Sequence, residues 1–308
     1  MHPWNQGVLD SIARRLERLP HALLLYGPQG VGKLALAEKV SQLLLCESTT
    51  GIRPCSVCAG CRWFLGGNHP DFRRLEPEAL AKEVIVDEDV APARRTKQPS
   101  IEIKVDQVRE LADFLYVGSH RGRLRVALVH PAEHMNENAA NALLKGLEEP
   151  PAGAVFILVS HRPAQLLPTI RSRCVALPVP IPPREAALEW LTGQGIKDAA
   201  RWLAYAGGAP LRAIEYASRG LAPLETVMDR DGLEPLAEAL QKTAVDRALL
   251  AFGLPAKYGT TSTPVTREKA RAWLAFGRQM GEDRLLCRHT LNPRLFSAAM
   301  LAAMPSER

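Results

Sequence analysis

A glycine-rich segment is the first part of this sequence with recognisable chemistry. Residues 27–33 (GPQGVGK) have the G-x4-G-K spacing of a phosphate-binding loop, between an apolar run, Ala22–Tyr26, and a predicted helix, Lys33–Leu45. Glycines let the backbone direct its N–H groups at phosphate oxygens, and a lysine at the helix start reaches a terminal phosphate. The predicted phosphate-binding residues are Gly27, Gly30, Gly32 and Lys33. The alternative is a tight strand-to-helix turn without a ligand.

The same region lacks the groups that hydrolysis of ATP requires. The position after the loop lysine should carry a hydroxyl that binds magnesium, but it is Leu34, whose side chain has no oxygen. A second predicted strand, Arg125–Val129, should end in an acidic pair that holds magnesium and orients water, but His130 and Pro131 follow it, and Glu133 comes too late. We therefore predict an ATPase-shaped domain that does not hydrolyse ATP, and leave open whether it binds nucleotide.

Four of the six cysteines are clustered, at Cys46, Cys55, Cys58 and Cys61. Four thiolates at this spacing are typical of a closed, tetrahedral zinc site, which leaves no position open for a catalytic water. We therefore predict one structural Zn²⁺ ion that stabilises a small insert at residues 46–61. The alternatives are a redox-active C-x-x-C pair and a disulfide, but the sequence around the cluster lacks the βαβ pattern of a thioredoxin-like domain.

Composition indicates a folded, multidomain protein of the cytoplasm. The chain has 308 residues, more than one hydrophobic core usually serves, so we expect two or three domains. Charged residues at 23% and apolar residues at 46% exclude a wholly disordered chain, and the net charge of +6 permits contact with nucleic acid without establishing it. The apolar runs are far shorter than the ~20 residues of a membrane span, and no secretory signal is evident. In a reducing compartment, clustered cysteines favour metal binding over disulfides.

Apolar periodicity predicts an α/β domain followed by helices. Short β-rich runs alternate with helical ones up to residue 179, which is typical of a parallel sheet covered by helices. The predicted strands are Ala22–Tyr26, Arg125–Val129, Ala154–Ser160 and 175–179, and the predicted helices among them include Lys33–Leu45, one within 101–117, and 136–147. A polar, proline-rich stretch at 76–100 is expected to leave the sheet and to be poorly ordered in part. From residue 184 onward the pattern is helical.

Three short motifs resemble the AAA+ clamp-loader subunits of bacterial DNA polymerase III. They are 141–145 (NALLK), 147–151 (LEEPP) and 170–174 (IRSRC). Further motifs resemble one non-motor member of that family, and they are 3–4 (PW), 20–24 (PHALL), 69–71 (HPD) and 105–109 (VDQVR). The resemblance is close over residues 1–215 and only architectural beyond them.

The resemblance implies a three-domain fold of the class α/β plus all-α. Residues 1–165 are expected to form a RecA-like AAA+ P-loop domain that carries the zinc module. Residues 166–209 are expected to form a small helical lid, and residues 210–308 a C-terminal helical collar through which the chain joins other subunits.

The resemblance also implies a role within an assembly. The chain is expected to be a stator, a largely rigid subunit without its own ATPase activity, in a hetero-pentameric ring with the gamma/tau ATPase subunits and the delta subunit. That ring loads the sliding clamp onto primed DNA, whereas DNA synthesis belongs to the DNA polymerase III holoenzyme and not to this chain. The first alternative is an active P-loop ATPase motor of this or a related replication or repair complex. The second is a zinc-dependent nucleic-acid-binding module that acts alone.

One arginine has an implied catalytic role. The resemblance places a trans arginine finger at Arg173, between Ser172 and Cys174. A guanidinium offered across a subunit boundary neutralises charge on a neighbour's γ-phosphate, which is worth roughly 10³ to 10⁵ in rate in other NTPases. Lysine lacks the planar fork of donors and would substitute poorly. Without the resemblance, Arg173 is interpreted as an arginine paired with a carboxylate, and Arg171 is the rival for the finger role.

Four other polar residues lie in positions of interest. His130, His134 and His161 are expected near the edge of the nucleotide site as polar residues without a catalytic role. Arg212 follows a Gly-Gly-Ala-Pro turn, so it either approaches a nucleotide from the lid or is a solvated helix residue. The sequence gives these two interpretations equal weight.

Overall fold

The computed structural model describes residues 1–49, 51–81, 99–117, 124–221, 224, 226–263, 265–287, 289 and 291–305. The chain divides into two compact units, Met1–Ile181 and Pro182–Arg308. Most of the proline-rich stretch at 76–100 lies outside the described residues, so its predicted excursion from the sheet stays a prediction. None of the described helices is long and apolar enough to cross a membrane.

The first unit is built on a five-stranded parallel sheet. Its strands are β1 (Ala22–Tyr26), β2 (Phe72–Leu75), β3 (Arg125–Val129), β4 (Ala154–Ser160) and β5 (Val175–Pro178). They are arranged in the order β2-β3-β4-β1-β5, and every pairing is parallel. All residues of β3 and β4 are buried, and apart from Arg125 and Ser160 at their ends these strands are apolar, as expected for a sheet covered on both faces.

Strands β1, β3, β4 and β5 confirm the sequence prediction, although β5 ends at Pro178, one residue earlier than predicted. Strand β2 was missed. Its sequence is FRRL, and only Leu75 is buried, so the strand has no apolar run and no clean alternation. Its position at the sheet edge, paired with β3 alone, explains why so polar a segment is tolerated there.

The described part of the first unit contains six α-helices: α1 (Gln6–Ala13), α2 (Lys33–Leu45), α3 (Ala59–Leu65), α4 (Val105–Tyr116), α5 (Glu137–Glu148) and α6 (Pro168–Arg173). Helix α2 packs against β3 and β4, while α4 packs against α5 and β2. The helix predicted at 136–147 begins one residue later, because the Asn136 side chain caps it by accepting a hydrogen bond from the N–H of Ala139 at 2.9 Å. One apolar core joins Leu111 and Leu143 of these helices to Phe156 of the sheet.

The described residues of the second unit form helices and connecting loops without a strand, as predicted. Its helices are α7 (Arg184–Gly193), α8 (Ala199–Tyr205), α9 (Pro210–Arg219), α10 (Arg230–Ala251), α11 (Arg267–Leu286) and α12 (Pro293–Ala302). Helices α7, α8 and α9 share one apolar cluster that includes Leu191, Leu203 and Ala213. A second cluster, which includes Leu240 and Trp273, joins α10, α11 and α12.

The predicted division into three domains stays a prediction. Residues 166–181 lie in the first unit, because β5 pairs with β1 and completes the sheet. The two apolar clusters of the second unit correspond to two helical groups, α7–α9 and α10–α12.

Candidate functional site

The glycine-rich segment forms the turn between β1 and α2. Gly32 is the N-cap of α2 and has a φ of 84°, and Gly30 has a φ of 85°, so both adopt the left-handed conformation that favours glycine. A Cβ at Gly27 would lie 2.3 Å from the carbonyl oxygen of Val179, and a Cβ at Gly32 would lie 2.4 Å from the His2 ring. These glycines are therefore required by the backbone, whatever the loop binds.

Lys33 is held across this loop. The side chain is nearly buried, and its Nζ donates hydrogen bonds to the carbonyl oxygens of Gly27 at 2.7 Å and Pro28 at 2.6 Å. Burial lowers the pKa of Lys33 to about 8, although the Glu133 carboxylate acts in the opposite direction. A phosphate in the loop would supply negative charge to this partly desolvated ammonium, so phosphate binding remains chemically feasible.

The N-terminal segment packs on the same loop. The indole Nε1 of Trp4 donates to the carbonyl oxygen of Val31 at 3.0 Å, and the buried Asn5 donates from Nδ2 to the carbonyls of Val31 at 3.1 Å and Gly32 at 3.3 Å. The His2 ring stacks on Trp4 with centroids 4.8 Å apart. Sequence reasoning did not place these residues at the loop, because nothing in the G-x4-G-K pattern refers to a segment that far upstream.

Two histidines occupy the ends of the central strands beside the loop. His130 follows β3 and His161 follows β4, and their rings meet edge to face with centroids 5.4 Å apart. Burial, reinforced by cations that include Lys33, lowers the pKa of His130 to about 4 and that of His161 to about 3. Both are therefore neutral near pH 7. His130 stands at the end of β3, where a magnesium-dependent ATPase would have an acidic pair.

The Glu133 carboxylate is engaged at this edge in a structural contact. Its Oε1 accepts a hydrogen bond from the backbone N–H of His161 at 2.9 Å, so it fixes the turn that follows β4. Leu34 contributes no oxygen to the loop. Among the described residues, the four clustered cysteines form the one group of His, Cys, Asp or Glu side chains that could hold a metal ion.

The structure brings all four clustered cysteines together. Cys46 follows α2, and Cys58 is the N-cap of α3. Their Sγ atoms and those of Cys55 and Cys61 all lie within 4.8 Å of one another. In a tetrahedral site with metal–sulfur distances of about 2.3 Å, the sulfurs are separated by roughly 3.8 Å. The observed cluster therefore fits a four-thiolate metal site with small adjustments, and all four thiols are free of disulfides.

Backbone N–H groups point at several of these sulfurs. Donors include the N–H of Cys55 to Cys46 at 3.4 Å, of Glu47 to Cys58 at 3.4 Å, and of Cys58 to Cys55 at 3.3 Å. Burial disfavours ionisation of Cys46 and Cys58, but these hydrogen bonds outweigh it, and the pKa of each thiol is lowered. N–H groups that stabilise thiolates are what a metal–thiolate site requires around its ligands.

Arg173 is the last residue of α6, and its guanidinium has three contacts within the chain. Nη1 donates to the carbonyl oxygen of Thr169 at 2.9 Å and to Oγ of Ser172 at 3.4 Å, while Nη2 pairs with Oε1 of Glu148 at 2.5 Å. About a third of the side chain is exposed. Arg173 is thus paired with a carboxylate of its own chain, and its role as a finger stays a prediction, as does that of the exposed Arg171.

Arg212 is not a solvated helix residue. It lies in a largely buried polar network of the second unit, where Nη2 bonds the Tyr216 hydroxyl at 2.5 Å and Glu238 at 2.8 Å. Lys242 pairs with the same carboxylate at 3.1 Å and packs 3.9 Å from the ring centre of Tyr205. Burial favours the protonated form of Glu238, but Lys242 and Arg212 lower its pKa to about 2. Helical periodicity gave no sign of this network, because its members come from three different helices.

The sheet and the loop together define the class of protein. A parallel sheet in the order β2-β3-β4-β1-β5, with a phosphate-binding loop directly after β1 at the start of a helix, is the core of an AAA+ P-loop domain. The described helices that follow this domain add an all-α part, so the fold class is α/β plus all-α.

Comparison with known proteins narrows the class to a family. A family described as DNA polymerase III, delta subunit, matches residues 6–182, which is more than half of the chain. A DNA polymerase III subunit delta' of Pseudomonas aeruginosa is 40% identical over 72% of this chain, and one of Escherichia coli is 34% identical over 62% of it. The chain therefore belongs to the delta-prime family of DNA polymerase III subunits.

The chain spans less than two thirds of the length of these relatives. The aligned regions span 62% of the Pseudomonas aeruginosa relative and 52% of the Escherichia coli relative. Among solved structures, a gamma subunit-related protein of DNA polymerase III from Thermotoga maritima matches with a TM-score of 0.48 and 18% identity over 96% of this chain and 97% of its own. A RuvB branch migration motor of the same organism matches with a TM-score of 0.40 and 16% identity, over 88% of this chain and 87% of its own.

Proposed function

We propose that this chain is the non-motor subunit of a DNA polymerase III clamp loader. It assembles with gamma/tau ATPase subunits and a delta subunit in a hetero-pentameric ring that loads the sliding clamp onto primed DNA. The observation that carries this proposal is the site at the carboxyl ends of the central strands. It keeps the glycines and Lys33 of a phosphate loop, but it has Leu34 where magnesium would need a hydroxyl and the neutral His130 where the acidic pair would begin.

The chain is expected to lack ATPase activity of its own, because no described side chain both holds magnesium and orients an attacking water at the loop. Purified chain should show no ATP turnover above a blank, with or without clamp and primed DNA, when phosphate release is measured. The reconstituted complex should turn over under the same conditions. Turnover by the chain alone at the rate of a motor subunit would support the alternative, an active P-loop ATPase motor.

Arg173 is the proposed contribution of this chain to catalysis. It lies at the end of a short helix and is partly exposed, and the described residues do not use all of its N–H donors. A guanidinium in that position acts on a neighbour's γ-phosphate by stabilising the charge that develops on the transferred group. The support comes from the motif resemblance together with this exposure, and it distinguishes Arg173 from arginines buried in structural networks, such as Arg212.

Arg173→Ala should leave the chain folded and assembled while it lowers ATP turnover of the reconstituted complex. At the one site that the finger serves, the loss should be roughly 10³-fold, because that is the lower range for trans arginine fingers. Arg173→Lys should be nearly as slow, since a lysine lacks the planar fork. Arg171→Ala, on the same helix, is the matched control and should turn over normally. Normal turnover of Arg173→Ala with a slow Arg171→Ala would transfer the role to Arg171.

Zinc is the metal we assign to the four-cysteine site. Four thiolates in a tetrahedron are the ligand set of structural zinc sites, and with four protein ligands no position is open for a catalytic water. Bound zinc would hold Cys46 at the end of α2 to Cys58 and Cys61 at the start of α3, so it stabilises the module at 46–61 instead of carrying out chemistry.

Metal analysis of protein purified under reducing conditions without chelator should find about one zinc per chain. Cys58→Ser should reduce the zinc content and lower the thermal unfolding temperature, because the site loses one ligand and α3 loses the sulfur that caps its N-terminus. Cys287→Ser, which changes a buried cysteine outside the cluster, should retain the full zinc content. An absence of zinc in the unmodified chain, or full zinc in Cys58→Ser, would contradict the site.

The division of the helical part into a lid and a collar is also a proposal. The sequence prediction places the lid at 166–209 and the collar that joins neighbouring subunits at 210–308. Within the second unit we assign the lid to α7–α9, which share one apolar cluster, and the collar to α10–α12. The support is the separation of two apolar clusters in the second unit, one built around Leu191 and Leu203 and the other around Leu240 and Trp273.

A further inference from the structure

The ion pair between Arg173 and Glu148 joins two helix ends that are distant in sequence. Glu148 is the last residue of α5 and Arg173 the last residue of α6. Their side chains meet at one point, Nη2 to Oε1 at 2.5 Å, while Nη1 of the same guanidinium is held by the carbonyl oxygen of Thr169 at 2.9 Å. Two separate elements of the chain therefore fix the orientation of one guanidinium.

The local electrostatics of α5 do not explain why an acidic residue stands at this position. The carboxyl end of a helix has negative potential, so a carboxylate there is unfavourable for the helix itself, and Glu149 adds a second. The guanidinium of Arg173 compensates for this charge. The Glu148 carboxylate and the carboxyl end of α5 thus form a site of negative potential that attracts and orients Arg173 of α6.

The pair is open to a ligand. The side chain of Arg173 is 34% exposed and that of Glu148 is 49% exposed. Exposed pairs of this kind contribute little to folding stability. The guanidinium has five N–H groups, and both of those on Nη1 are used, by the Thr169 carbonyl and the Ser172 hydroxyl. Within the described residues Nε has no hydrogen-bond partner, and Nη2 keeps one N–H beyond its contact with Glu148. Donors therefore remain for an anion on the free edge of the fork.

We propose that Glu148 is a positioning residue that presents Arg173 to a phosphate group of a nucleotide bound by a neighbouring subunit. The inference rests on the proposed finger role of Arg173 and adds to it a specific partner within the chain. A free arginine side chain samples many rotamers, so ordering it costs conformational entropy. An interaction that fixes the side chain before the phosphate arrives removes this entropy cost from the catalytic step.

The geometry favours positioning over blocking. Glu148 contacts a single nitrogen, Nη2, instead of forming the two parallel hydrogen bonds of a bidentate pair, which would occupy one whole edge of the fork. A blocking carboxylate would have to be displaced by the phosphate. In the observed arrangement a phosphate can bind the remaining donors while Glu148 stays in contact with Nη2 and the Thr169 carbonyl with Nη1.

The test measures steady-state ATP turnover of the reconstituted complex with clamp and primed DNA. Glu148→Ala should lower kcat about threefold to tenfold without changing KM for ATP, because a misoriented catalytic group slows the chemical step and leaves ground-state binding intact. Glu148→Gln should fall between this variant and the unmodified chain, since its amide oxygen still accepts a hydrogen bond. Glu149→Ala removes the neighbouring charge and should leave kcat unchanged.

A double variant separates positioning from a general structural effect. If Glu148 acts through Arg173, Glu148→Ala should have no further effect on kcat in the Arg173→Ala background. A further loss there, an increase in kcat for Glu148→Ala, or an unchanged kcat for Glu148→Ala beside a slow Arg173→Ala would each overturn the positioning role while the finger stands. Unchanged turnover of Arg173→Ala would instead overturn the finger, and the positioning role with it. Co-purification of each variant with the other subunits verifies assembly.

Discussion

The parallel pairing of β1 with its neighbours β4 and β5 is the constraint on which the proposed site depends. Because parallel strands end at the same edge, this pairing places the glycine-rich loop after β1 beside His161 after β4 and His130 after β3. The connection from β4 to β5 contains α6, so the same pairing sets the position of Arg173. The site is thus a property of sheet order, and residues more than a hundred positions apart meet there.

The chemistry at that edge is a phosphate loop that has lost its metal partners. Lys33 remains and is buried against the loop carbonyls, while the strand ends supply imidazoles that burial keeps neutral. Because a magnesium hydroxyl ligand and an acidic pair are absent from the described site, we propose that a nucleotide bound here is not hydrolysed. The catalytic contribution that we propose for the chain lies instead at the end of α6, where the partly exposed guanidinium of Arg173 contacts Glu148 and a backbone carbonyl.

Much of this arrangement could be predicted from sequence, and the failures have physical causes. Continuous apolar runs revealed β1, β3 and β4, and short-range spacing revealed the loop and the four cysteines, which the structure brings together. Strand β2 (FRRL) was missed because an edge strand need not be apolar. The packing of Trp4 and Asn5 on the loop, and the pair between Glu148 and Arg173, depend on tertiary contacts that no local pattern encodes.

The proposed function requires that Arg173 of this chain reach a nucleotide held by a neighbouring subunit. The most direct measurement is an experimental structure of the assembled complex with clamp, primed DNA and a non-hydrolysable ATP analogue. We expect the guanidinium of Arg173 within hydrogen-bond distance of the analogue's γ-phosphate in the adjacent subunit, with Glu148 still in contact with Nη2. An adjacent nucleotide whose γ-phosphate is contacted by another residue, with Arg173 facing solvent, would contradict the claim.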